Sequence, residues 1–217
     1  MAFFPRCLAL GSAALLLAAA SAWAGRPQLV DDAGTNDAGH GHVESWFERA
    51  PDGGRVWTVA PAYAPIARLE LTATLARDVH AHHNQSRWQA KWQFTAPVEN
   101  RCHHAAVLGA AHEQHRAGWA PWLTGIMSCP LAGAGLLHLN LGAMRPPGGP
   151  GAPFAGVAWE RQLGMVTGHL EWLVARGAKP VFNLGLRREI GAGLQLDGSI
   201  GRSGGQTLWS LGLKQQF

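Results

Sequence analysis

Apolar and polar residues alternate with a period of two through nearly all of the chain beyond residue 40. In GLLHLNLGA (135–143), Leu137, Leu139 and Leu141 stand against His138, Asn140 and Gly142. VTGHLEWLV (166–174) sets Val166, Leu170, Trp172 and Val174 against Thr167, His169 and Glu171. PVFNLGLRR (180–188) sets Phe182, Leu184 and Leu186 against Asn183, Gly185 and Arg187. RLELTATLA (68–76) and RWQAKWQFT (87–95) repeat the arrangement, with Glu70 and Lys91 on their polar faces. In IGAGLQLDGSIG (190–201), Ile190, Ala192, Leu194, Leu196 and Ile200 oppose Gln195, Asp197 and Ser199. Successive side chains of a strand point to opposite sides, so each stretch reads as a β-strand with one apolar and one polar face. Apolar residues at helical spacing, framed by an N-cap and a terminal glycine, are lacking.

Weaker alternation marks further strands at 42–49, 55–63, 104–113, 122–129 and 154–161. With the closing TLWSLGLKQQF (207–217) the pattern predicts twelve strands, or ten if the poorly alternating region 104–129 contributes fewer. An even number returns both ends of the chain to one side. The connections differ in character: GRSGG, RGAKP, RPPGGPGAP, HRAGWA, VHAHHNQSR and APDGG alternate with tight turns, among them Arg188-Glu189 and Gln162-Leu163-Gly164. Short turns at one end and longer loops at the other characterise outer-membrane barrels.

Alternation alone fits a soluble barrel with an apolar interior equally well, and composition separates the two. A soluble barrel needs a densely charged outer face, yet only 15% of residues are charged and the polar faces carry mostly Gly, Ser, Asn, Gln, Thr and His. Small polar residues with single charges suit a crowded interior instead. The predicted fold is therefore all-β, an antiparallel up-and-down transmembrane β-barrel whose apolar face meets lipid. Its lumen-lining candidates are Glu70, Lys91, His138, Asn140, His169, Glu171, Asn183, Arg187, Gln195, Asp197 and Lys214. Trp88, Trp92, Trp172 and Trp209 lie on apolar faces near strand ends, where indole rings sit at membrane interfaces. The alternatives are a periplasmic soluble barrel that binds an apolar ligand, and a structural barrel with a plugged lumen.

The N-terminus fits export. Arg6 precedes the uncharged run CLALGSAALLLAAASA, and Ala22-Trp23-Ala24 forms a small-x-small cleavage site, so residues 1–24 are expected to be a removed signal peptide. Residues 25–41 then form a polar periplasmic leader and 42–217 one outer-membrane barrel. Lys and Arg are scattered singly, which excludes a nucleic-acid stripe. Cys102 and Cys129 fall beside neighbouring periplasmic turns, within reach of a disulfide in an oxidising compartment.

At the leader a resemblance enters. RPQLVDDAGTNDAG (26–39) followed by VESW (43–46) resembles the opening of proteobacterial outer-membrane proteins of the phenol-degradation meta-pathway (MetA-like) transporter family. That resemblance implies an outer-membrane β-barrel that transports hydrophobic or aromatic compounds.

Candidate chemistry is sparse. His80, His82 and His83 form a dense cluster in an expected outer loop and are the candidate metal ligands. His112-Glu-Gln-His115 is not the H-E-x-x-H of metalloproteases, and no serine lies in G-x-S-x-G, so no catalytic residues and no cofactor are expected. The chain is read as a non-enzymatic channel or transporter for a small solute. Outer-membrane lipid and the assembly machinery are its expected partners. The alternating Trp209, Leu211, Leu213 and terminal Phe217 resemble the signal that this machinery reads.

Overall fold

The structure, a computed structural model, describes residues 29–217 except positions 51, 97 and 99. The expected signal peptide lies outside the described residues. Twelve antiparallel strands follow one another in chain order: β1 (Gly41–Arg49), β2 (Arg55–Ile66), β3 (Leu69–Asp78), β4 (His83–Gln93), β5 (His103–Glu113) and β6 (Ala120–Leu131), then β7 (Gly135–Met144), β8 (Ala152–Leu163), β9 (Val166–Ala175), β10 (Val181–Gly191), β11 (Leu194–Ser203) and β12 (Gln206–Gln216). Each pairs with its neighbour, and β1 pairs with β12, so the sheet closes into a barrel without a free edge. The seam is tied at its end by reciprocal backbone bonds between Gly41 and Phe217, both 2.9 Å. Gly41 is needed there, because a Cβ on it would meet the Phe217 ring at 2.9 Å.

Side chains that point outward are apolar. Leu141, Leu108, Leu75, Phe182, Leu211 and Ile200 are all exposed. Trp88, Trp92, Trp172 and Trp209 face out as well, and Phe47 packs between Trp57 and Trp209 with ring centroids 6.4 and 5.5 Å away. The buried side chains are largely polar and charged, with Lys214, His138, His169 and Asp197 almost without solvent contact. This polarity is inverted relative to a soluble barrel, so the soluble ligand-binding alternative is overturned by the placement of these groups.

Some boundaries depart from the expected ones. Arg188-Glu189 is not a turn: β10 continues to Gly191, and the reversal falls at Ala192-Gly193. Ile190 therefore belongs to β10 and not to β11. Gly193 takes a left-handed φ of 68°, which a side chain with Cβ disfavours, and so hosts the turn. Gly164 does the same between β8 and β9 with φ 67°. The longest connection, 94–102, lies at the same end as the start of β1 and the end of β12 and interrupts the expected asymmetry of loop lengths.

The leader differs most from its expected form. It does not hang free below the barrel: residues 29–36 run along the interior wall, with Val30, Asp32, Ala33, Thr35 and Asn36 buried, and the exposed residues 37–40 lead into β1. Backbone groups taken out of water need partners, and the wall supplies them.

Candidate lumenal site

The leader passes the strands in roughly reverse chain order. Leu29 and Val30 donate their N–H groups to Glu171 Oε1 on β9, at 2.7 and 3.0 Å. Val30 also fills the space that Gly156 of β8 leaves, since a Cβ there would lie 2.7 Å from Val30 Cγ2. Asp31 then meets Asn140 of β7 twice: its N–H donates to Asn140 Oδ1 and its carbonyl accepts from Asn140 Nδ2, both at 2.8 Å. Lys91 Nζ on β4 donates to Asp31 Oδ1 at 2.8 Å and to the Asp32 carbonyl at 3.1 Å. Ala33 N donates to Ser128 Oγ on β6 at 2.8 Å, and Asn36 N to Glu70 Oε2 on β3 at 2.9 Å. Gly39 N finally donates to the Ala64 carbonyl of β2 at 2.8 Å, leading the chain into β1.

The wall holds these acceptors in place. Asn183 Nδ2 donates to Glu171 Oε2 at 2.8 Å, which leaves Oε1 for the leader. Ser128 Oγ lies 2.8 Å from His138 Nδ1; with the hydroxyl donating to the ring, its lone pairs remain for Ala33 N. Such support from behind keeps a polar group aimed before its partner arrives. Beneath Ala33 the wall turns apolar: Ala105 and Val107 of β5 and Ile126 of β6 form a buried cluster with it, flanked by Trp122. The inward face of β2 carries only Ala60, Ala62 and Ala64 over its buried stretch beyond Thr58, and these small side chains leave room for the leader.

On β10 to β12 the interior groups meet one another. Arg187 Nη2 donates to Glu160 Oε1 of β8 at 2.5 Å, and Lys214 Nζ lies 3.3 Å from Glu44 Oε1 of β1. Gln195 Nε2 donates to Asp197 Oδ1 at 2.7 Å, and Ser199 shares a 2.8 Å hydrogen bond with Ser210.

The sequence-derived lumen candidates all occupy inward positions. Glu70, Lys91, His138, Asn140, His169, Glu171, Asn183, Arg187, Asp197 and Lys214 are buried, while Gln195 is half-buried. Only Glu70, Lys91, Asn140 and Glu171 touch the described leader directly. Ser128, Glu160, Glu44 and Trp46 were not among the candidates, because their strands lack a clean alternation. Trp209, Leu211 and Leu213 line the outer face of β12, and the exposed Phe217 follows its last residue. Cys102 and Cys129 are joined by a disulfide with Cα atoms 4.1 Å apart.

The histidine loop does not converge on a metal. Asp78 Oδ1 accepts the N–H groups of His80 and Ala81, both at 2.8 Å, which shapes the turn. His82 takes a left-handed φ of 56°, and His83 points to Glu113 of β5 at 3.4 Å. Among the described residues no group of three or more His, Cys, Asp or Glu is placed to hold a metal ion. The candidate ligands His80, His82 and His83 are not brought together as such a group.

Comparison with known proteins speaks to the fold. No protein-family model matches the chain, and no curated protein matches it by sequence. Among solved structures, the KdgM porin overlays 81% of this chain and 99% of its own with a TM-score of 0.66 at 12% identity. The KdgM porin in complex with disordered oligogalacturonate overlays 82% of this chain and 99% of its own, with a TM-score of 0.61 at 12% identity. The chain has the twelve-stranded barrel fold of these porins.

Proposed function

We infer that the protein is an outer-membrane channel for a small solute, in which residues 29–36 occupy the lumen and control passage. The observation that carries this reading is the pairing of an apolar outer wall with a charged interior, along which the leader is held largely by polar contacts. Polar contacts can be exchanged for water or solute at small net cost, and the buried apolar side chains of the leader are the small Val30 and Ala33. The porin fold supports the channel, and the resemblance of the leader to the phenol-degradation meta-pathway family supports transport. Under this orientation both termini are periplasmic, and the loops 145–151 and 176–180 face outward.

A structural barrel, permanently plugged, is the second reading; the number of leader hydrogen bonds favours it. Conductance in a planar bilayer decides. The chain lacking residues 25–38 should pass a larger and steadier current than the full mature chain. If the truncated barrel migrates as folded on a gel yet stays silent, the plugged reading replaces the channel.

The outer face of β12 would carry the assembly signal, with Phe217 as its last member. Deleting Phe217 is expected to lower the heat-modifiable, membrane-inserted fraction severalfold while export continues. Normal assembly of that variant, measured in outer-membrane fractions, would remove this role.

A further inference from the structure

The lumenal wall treats the leader as a ligand. Asn140 reads both the N–H and the carbonyl of one residue, Asp31, at 2.8 Å each, the two-point recognition that an extended peptide unit offers and an isolated carboxylate, which has no donor, does not. Glu171 accepts two consecutive backbone N–H groups, and Ser128 and Glu70 accept those of Ala33 and Asn36 farther along. At the centre Lys91, with a side chain only 6% exposed, holds the Asp31 carboxylate, which is still 35% exposed. The cation is thus buried and fixed, while its anionic partner remains within reach of solvent. An anion on a competing molecule can meet Lys91 at the same place.

We propose that Lys91, Asn140, Glu171, Ser128 and Glu70 form a binding site for a short, extended, acidic peptide, and that residues 29–38 are its resident occupant in cis. The proposal rests on the channel reading where it names the solute: a molecule that displaces the leader must bring a carboxylate for Lys91 and successive N–H groups for Glu171, Ser128 and Glu70. A neutral aromatic compound brings neither. The site requires no conduction, however, and can be examined apart from it.

The barrel lacking residues 25–38, refolded in detergent, is titrated with a fluorescein-labelled peptide of residues 29–38 and followed by anisotropy. Saturable binding is expected, weakened about fivefold when the peptide carries Asp31→Asn or the barrel carries Lys91→Met, because the ion pair is lost in each. Acetyl-Val-Asp-Asp-amide should displace the label at lower concentration than acetyl-Val-Asn-Asn-amide. Should the truncated barrel fail to fold, a protease site placed after residue 38 of the full chain and cut after folding gives the same exchange measurement. A folded barrel that ignores the labelled peptide, or that releases it equally to the acidic and neutral tripeptides, overturns the site. A barrel that binds the peptide but conducts no current keeps the site and ends the channel reading. One that conducts but does not bind keeps the channel and ends the site.

Discussion

Two parts of the interior wall solve the same problem differently. Along β10 to β12 the inward cations are met by carboxylates of other strands, Arg187 by Glu160 of β8 and Lys214 by Glu44 of β1. Along β3 to β9 they are completed by the leader, whose backbone saturates Glu171, Asn140, Ser128 and Glu70 and whose Ala33 covers Ala105, Val107 and Ile126. The first wall is stable through pairs within the sheet. The second depends on a segment that is far from it in sequence, 142 residues in the case of Leu29 and Glu171.

The comparison can be broken most strongly from the first side. Arg187→Met removes a cation that holds the buried Glu160, and disrupting a buried pair from one side costs about 3–5 kcal/mol. The expected result is a large drop in the urea midpoint of the refolded barrel. Equal stability of the variant and the parent would show that this wall does not stabilise itself.

On the second side, Ile126→Ala opens a cavity under Ala33 and should cost about 2 kcal/mol, at the low end for such truncations because its partners are small. Here the cost should shrink when the leader is absent, since the two removals share the same contacts. Strict additivity in that double-mutant cycle would sever the leader from β5 and β6.

The smallest effect is expected from Asp31→Asn. The Lys91 pair lies at a carboxylate that is 35% exposed, so its loss, discounted for solvent screening, should amount to about 1 kcal/mol. Its readout is local: limited proteolysis within residues 29–40 should quicken severalfold while the barrel midpoint stays unchanged. Unaltered leader cleavage would show that Lys91 contributes nothing to docking.

The same contrast explains which strands could be read in advance. On β10 and β12 the inward row, Asn183, Gly185 and Arg187 or Ser210, Gly212 and Lys214, is polar or small and the outward row is apolar. Alternation there reports lumen against lipid directly. On β5 and β6 the inward row mixes the apolar Ala105, Val107, Trp122 and Ile126 with the polar Thr124 and Ser128, so it contrasts little with the outward row and the period fades. The strands most difficult to read are those that the leader covers.

From the sequence alone come the strand number, the inverted polarity and the inward placement of residues such as Lys91, Asn140 and Glu171. These follow from the period of two, which is a local property of an extended chain. The leader's position was not local. DDAGTNDAG is polar and rich in turn-forming residues whether it floats in water or lines a lumen, and composition does not distinguish the two. Only closure of the sheet, which brings Glu171, Asn140, Ser128, Lys91 and Glu70 from separate strands onto one inner surface, decides that this segment has partners inside.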